Sequence, residues 1–273
     1  MEDCQFSNNS NISADGGGLF VRTSSGAITL TNNTFNGNSA GSGGGAYPES
    51  SSGAVTLSNN TFSMNSAGWE GGGASIYPSS GSATLTNNTF SGNTSVNFGG
   101  GAYVHTSGVM VTMTNNTFAG TNSAVSGGGL YVALYVDTAT ANIYNNILWG
   151  NTATAAGDDL YVDDDPDNTG KRATVNIFNN NYTQFAIKDG AGLSQANNMN
   201  QDPLLTANFH LQTGSPCINA GSATAPSLPA TDCDGEPRIS GTAPDIGADE
   251  VQPPGAGEGG GGGCFIATLA LNE

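Results

Sequence analysis

Asp158, Asp159, Asp163, Asp164, Asp165 and Asp167 crowd into one ten-residue stretch. Clustered carboxylates of this kind ligate hard cations, calcium above all. Asp163, Asp165 and Asp167 alternate as the first ligands of a calcium loop do. The sixth position of such a loop is Asn168 where the turn needs glycine, and the twelfth is Thr174 where a bidentate glutamate belongs. A helix-flanked calcium loop is therefore excluded. Two readings stay open: a solvated acidic loop, or a weaker Ca2+ site built between turns of chain from Asp158, Asp159, Asp163, Asp165 and Asp167. Asp232-x-Asp234-Gly235 reads as a turn before it reads as a ligand set.

The sulfur and imidazole inventory is small. Cys4, Cys217, Cys233 and Cys264 include no C-x-x-C pair, and with only His105 and His210 no zinc or haem spacing is apparent. Cys217 and Cys233 can pair as a disulfide in an oxidising compartment, or remain two unpaired buried thiols. Cys264 follows a glycine tract and is the candidate for modification or anchoring. General acid–base chemistry needs carboxylates and a base on one face within hydrogen-bond reach. From Gly71 through Val136 the chain has no Asp, Glu, Lys or Arg, and Arg22, Lys171, Arg172, Lys188 and Arg238 are scattered. A glycosidase-type carboxylate pair could come only from the acidic loop or the C-terminal third. The expectation is a non-catalytic protein.

These residues sit on a repeat. Glycine triplets start at Gly16, Gly43, Gly71, Gly99 and Gly127, spaced 27, 28, 28 and 28 residues apart. Asn-Asn-Thr-Phe starts in step with them at Asn32, Asn59, Asn87 and Asn115. A fixed period of this size marks a solenoid whose units bury apolar faces only against their neighbours. Val55-Thr56-Leu57 and Ala83-Thr84-Leu85 alternate as half-buried strands, and no stretch has helical spacing. From Leu57 the count by twos misses Phe62, so the strand bends at the Asn pair, where asparagine tolerates a left-handed corner. A second strand follows each triplet, as in Ala102-Tyr103-Val104. The expectation is an all-β parallel β-helix of six to seven coils, a rod about 30 Å long. Degenerate copies run to Asn179-Asn180-Asn181-Tyr182, which places the solenoid at 1–190, a cap at 191–251, a Pro/Gly linker at 252–263 and a tail at 264–273.

Phe-x-x-Asn at Phe6–Asn9, Phe35–Asn38, Phe62–Asn65 and Phe90–Asn93, with the Gly-Gly-small-aromatic element, resembles the repeats of polymorphic outer-membrane proteins. More broadly the chain is similar to bacterial right-handed parallel β-helix surface proteins. The stretch 201–251 resembles the closing segment of choice-of-anchor proteins, and Cys264-Phe265-Ile266 resembles their C-terminal Cys-Phe-Ile box, although Leu269 to Glu273 departs from it. The resemblance implies a secreted or cell-surface protein, adhesin-like or a stalk. The chain opens in mid-coil at Cys4-Gln5-Phe6 without a signal peptide, as the end of a longer exported protein or a chain begun too late would. Its uncapped first coil makes it a monomer or a partner in end-to-end association.

A net charge of −17 with five Lys+Arg cannot build the basic stripe that nucleic acid needs. No apolar run is long enough for a transmembrane helix. The sequons at Asn33, Asn60, Asn88 and Asn116 read as stacked corner amides, because a stacked corner cannot carry a glycan in every coil. If Ala74, Ile76, Ala102 and Val104 face inward, then Phe20, Tyr47, Ser75, Tyr103, Tyr131 and Tyr161 form one outward column. Ser75 argues that this column is exposed. The rings either stiffen the sheet or bind an extended neutral glycan on the cell exterior. Two alternatives complete the expectations: the end of a polysaccharide-active enzyme, or an ice-binding surface of Thr56, Thr84 and Thr112.

Overall fold

In the computed structural model every coil takes the same path, and its description covers residues 1–252 apart from 109, 124, 169, 171, 172 and 191. The linker from Pro253 onward, the tail with Cys264, and Lys171 and Arg172 lie outside the described residues. Four parallel sheets run along the rod, three with seven strands and one with six. In the central coil, Ala83–Thr86 leads to Thr89–Ser91, then to Thr94–Ser95, then to Ala102–Thr106. Equivalent residues of successive coils pair in register, Leu57 with Leu85 and Leu85 with Met113.

Each element of the repeat has a mechanical cause. The first Asn of the pair holds the corner: Asn32, Asn59, Asn87, Asn115, Asn145 and Asn179 all have φ between 54° and 58°. That corner lets Leu57 and Phe62 both face inward despite their parity. The second Asn is buried and stacks. In Asn60, the backbone N–H and Nδ2 both donate to Oδ1 of Asn88 at 3.0 Å, and Nδ2 also donates to the Leu30 carbonyl at 2.8 Å. This ladder runs from Asn33 to Asn198, and the Cys4 N–H donates into it at Asn33 Oδ1. Burial of Asn33, Asn60, Asn88 and Asn116 leaves no room for a glycan. The Phe-x-x-Asn motif builds a second ladder through Asn38, Asn65 and Asn93.

The phenylalanines of that motif, Phe6, Phe35, Phe62 and Phe90, stack inside with the equivalent Phe118, with centroids 4.5–4.9 Å apart. The triplet glycines make room for this core. Gly43 has φ of +63°, a Cβ on Gly44 would lie 2.4 Å from the carbonyl oxygens of Gly72 and Ser66, and one on Gly45 would crowd Phe62. At the first coil, Leu19, Val21, Ile28 and Leu30 line an open apolar cleft of about 450 Å³.

Two expectations are corrected. The solenoid does not stop at 190: Leu193–Ala196 pairs with Thr174–Phe178, Asn197 takes the corner conformation, and Asn180 donates to Asn198 at 3.2 Å. The segment after it is not a lid over the last layer. It folds back along the flank of the rod, because the corner asparagines offer amides there. Asn87 Nδ2 donates to the Thr231 carbonyl, Asn115 Nδ2 to those of Asp245 and Gly247, Asn145 Nδ2 to that of Ser222 and Asn179 Nδ2 to that of Ala220. Beneath this buttress a second apolar core joins Ile147 of the solenoid to Leu211, Cys217 and Ile246.

Candidate functional site

The outer face of the sheet that contains Leu19–Thr23, Ala46–Ser50 and Ala102–Thr106 carries the aromatic column. The register is as the sequence suggests: Phe20 beside Tyr47, Ser75 beside Tyr103, Tyr103 beside Tyr131, Tyr131 beside Tyr161. Two residues on, a parallel column runs through Arg22, Glu49, Tyr77, His105, Ala133 and Asp163. The two columns interlock. Where Ser75 leaves a gap, the Tyr77 ring fills it, 5.1 Å from Tyr47 and 5.9 Å from Tyr103. His105 stacks between Tyr77 and Tyr135 at 4.7 and 4.3 Å. Phe98 packs against Tyr131 at 4.8 Å.

This interlocking corrects the exposed ladder. Tyr103 and Tyr131 retain only 6% and 7% of their surface, and Ser75 retains none. A second layer of rings covers the first, so these two tyrosines are the floor and cannot touch a ligand. The accessible rings are Phe20, which is exposed, and the half-buried Tyr47, Tyr77, Phe98, His105, Tyr135 and Tyr161. Tyr77, Phe98 and Tyr135 carry the difference. Sequence reasoning passed over them because they lie outside the column it followed: Tyr77 two residues beyond it, Tyr135 past the strand end and Phe98 before the glycine triplet.

The face is polar but nearly uncharged. Burial raises the phenols of Tyr77 and Tyr103, and Glu70 raises them further. Burial and then Asp163 raise that of Tyr131. Burial pushes the His105 imidazole down, which leaves it neutral at neutral pH. The Glu70 carboxyl is also pushed up by burial, against the hydrogen bonds from Tyr77 and Ser75. Carboxylates flank the shelf, Glu70 beside Tyr77 and Asp163 accepting from the Tyr131 hydroxyl at 3.1 Å. They stand three coils apart along the axis, about 14 Å at the strand spacing. Glu49 stands one coil from Glu70, and both lie close enough to Tyr47 to raise its phenol further after burial.

The carboxylates of the acidic loop are largely engaged by neighbouring segments of the chain. Asp159 is buried at the end of the second asparagine ladder, accepting from Asn151 Nδ2 at 2.8 Å and from Thr183 N and Oγ1 at 2.7 and 2.5 Å. Asp158 accepts from Ala153 N, Asp164 from Asp189 N and Gly190 N, and Asp165 from Gly170 N. Asp163 lies 3.4 Å from Lys188 Nζ, and Asp167 is exposed. Among the described residues these side chains do not form a group whose ligating atoms all lie within 4.8 Å of one another.

The expected disulfide between Cys217 and Cys233 does not form. Cys217 is buried in the second core, where Asn181 Nδ2 donates to its sulfur at 3.3 Å, and burial pushes its thiol up to about 11. Cys233 instead faces His210, and His210, Cys233, Asp234 and Asp249 bring their ligating atoms within 4.8 Å of one another. The fold thus brings together four potential ligand groups that no sequence motif announced. They are spaced 23, 1 and 15 residues apart, a pattern no short motif contains.

A family described as right handed beta helix region matches residues 44–223. The chain belongs to the right-handed β-helix family. The match spans the coils from the second glycine triplet onward and the start of the buttress of this β-helix, and no curated protein or solved structure matches it. Among the described residues, no helix of the β-helix is long and apolar enough to cross a membrane.

Proposed function

We propose that this β-helix is a non-catalytic secreted or surface-displayed module, stalk-like or adhesin-like, that binds neutral glycan along its aromatic face. The observation that carries the reading is the shelf itself: accessible rings from Phe20 to Tyr161 over a floor of Tyr103 and Tyr131, with protonated phenols and a neutral imidazole. Sugars pack apolar C–H faces on aromatic rings and hydrogen-bond at the edges, which suits hydroxyl donors without charge. Strand pairing repeats the rings about every 4.8 Å, so weak contacts add along an extended chain. An anionic polysaccharide would be repelled by Glu49, Glu70 and Asp163 at the rims of the shelf.

Replacement of Tyr47, Tyr135 and Tyr161 by Ser tests the reading, because these rings are accessible and the floor stays intact. Binding on a glycan array of neutral polymers should fall at least tenfold while β-sheet circular dichroism is retained. A folded triple variant that binds as the parent does, or a parent that binds no glycan, overturns it. The ice-binding reading has less support here, since Thr112 in the Thr56–Thr84–Thr112 column is buried.

A further inference from the structure

Three segments of the flank buttress meet at His210, Cys233–Asp234 and Asp249, far from the aromatic face in sequence and on a different side of the coil. We propose that these four side chains form a structural site for a zinc-class divalent ion, which pins the buttress together. Their ligating atoms all lie within 4.8 Å of one another, and Nε2 of His210 is 3.1 Å from Oδ2 of Asp234. A tetrahedral zinc with bonds of about 2.0–2.3 Å needs ligand atoms roughly 3.3–3.8 Å apart, so the group has to contract by about 1 Å.

The backbone already holds the segments in place. Leu211 N–H donates to Oδ2 of Asp249 at 2.8 Å, and Cys233 N–H donates to the Ala248 carbonyl at 3.1 Å. The turn that presents Cys233 and Asp234 is fixed by Asp232, whose Oδ1 accepts from Asp234 N and Glu236 N at 2.9 Å. His210 is fixed by its own turn, its N–H donating to Thr206 Oγ1 at 3.1 Å.

The donor set selects the ion. One imidazole nitrogen, one thiolate sulfur and carboxylate oxygens suit zinc, cobalt or iron(II), whereas calcium and magnesium take oxygen ligands. Four protein ligands close the coordination shell, the arrangement of a structural site and not of a catalytic one. On binding, the Cys233 thiol releases its proton to solvent and the sulfur coordinates as thiolate.

The test uses the full chain, stripped with a chelator and titrated with Zn2+ by calorimetry and with Co2+ by absorbance. One equivalent should bind, the melting temperature should rise with Zn2+, and Co2+ should give a thiolate charge-transfer band with tetrahedral d–d absorption. Cys233→Ser should remove the band, and His210→Gln and Asp234→Asn should each weaken binding at least tenfold. A Cys4→Ser, Cys264→Ser double variant should keep the band. If Cys233→Ser fails to fold, the His210 and Asp234 variants decide alone. Absence of saturable binding, or a band that survives Cys233→Ser or vanishes with the Cys4 and Cys264 double variant, overturns the proposal.

Discussion

At each corner the two asparagines of a pair do different work, and substitutions should separate them. Asn59 holds a φ of 56°, which glycine adopts freely and valine does not. Asn59→Gly should leave stability within about 0.5 kcal/mol, and Asn59→Val should cost about 1–3 kcal/mol. Asn88 is the buried amide whose Oδ1 receives two donors from Asn60. Asn88→Val strands those donors and should cost about 2–4 kcal/mol, measured by urea denaturation. Glu70 gives a pH signature. Its folded-state carboxyl titrates above the unfolded one because burial disfavours its charge, with Asp15 adding to the shift. Between those two values the native state holds the extra proton, so stability falls as pH rises through that window and then levels. Glu70→Gln keeps an acceptor for Tyr77 and removes this loss. The variant should melt higher than the parent at pH 7, with the difference gone well below the unfolded carboxyl value. A difference independent of pH contradicts the assignment.

At the scale of elements, the aromatic sheet face is a two-layer structure and its layers should respond differently. Tyr131 is nearly enclosed by Tyr103, Phe98 and Tyr161 and donates to Asp163. Tyr131→Ala should cost about 3–5 kcal/mol, as large aromatic deletions in cores do. Phe20 is about half exposed, and Phe20→Ser should change thermal stability little. Equal losses for the two would mean that the second layer does not cover the first. Cys217 lies in the other apolar layer, and its raised thiol and burial should protect it from alkylation at neutral pH in native protein. Labelling followed by peptide mass mapping checks this.

For the molecule as a whole, the buttress couples four coils that otherwise touch only their neighbours. Arg238 is its anchor, nearly fully buried, donating to the carbonyls of Gly247, Ala248 and Asp249 and to Oδ1 of Asn87 at 2.7 Å. Glu250 lies 3.9 Å away, so removal of the guanidinium leaves a buried carboxylate without its cation. Arg238→Met should cost about 3–5 kcal/mol and loosen the buttress from Asn87 and its neighbours. Hydrogen exchange should then rise in residues 201–251 before it rises in the coils. Uniform exchange along the chain would show instead that buttress and rod unfold as one unit.

The repeat was legible in the sequence because a solenoid coil meets mainly the coils before and after it. Those contacts recur every 27 or 28 residues and write themselves as Gly71, Asn88 and Phe90 at fixed offsets. Coil order, strand register, the Asn corner and the inward phenylalanines follow from that period alone. What lies across the repeat did not follow. Tyr77 covering Ser75, the C-terminal segment lying along the corners instead of over the end, and His210 meeting Cys233 and Asp249 all join residues at irregular separations. Such contacts depend on which side of the rod an aperiodic segment can find unpaired amides and apolar surface. Only the assembled coils supply that side, through the row from Asn87 to Asn179 and through Ile147 beside it.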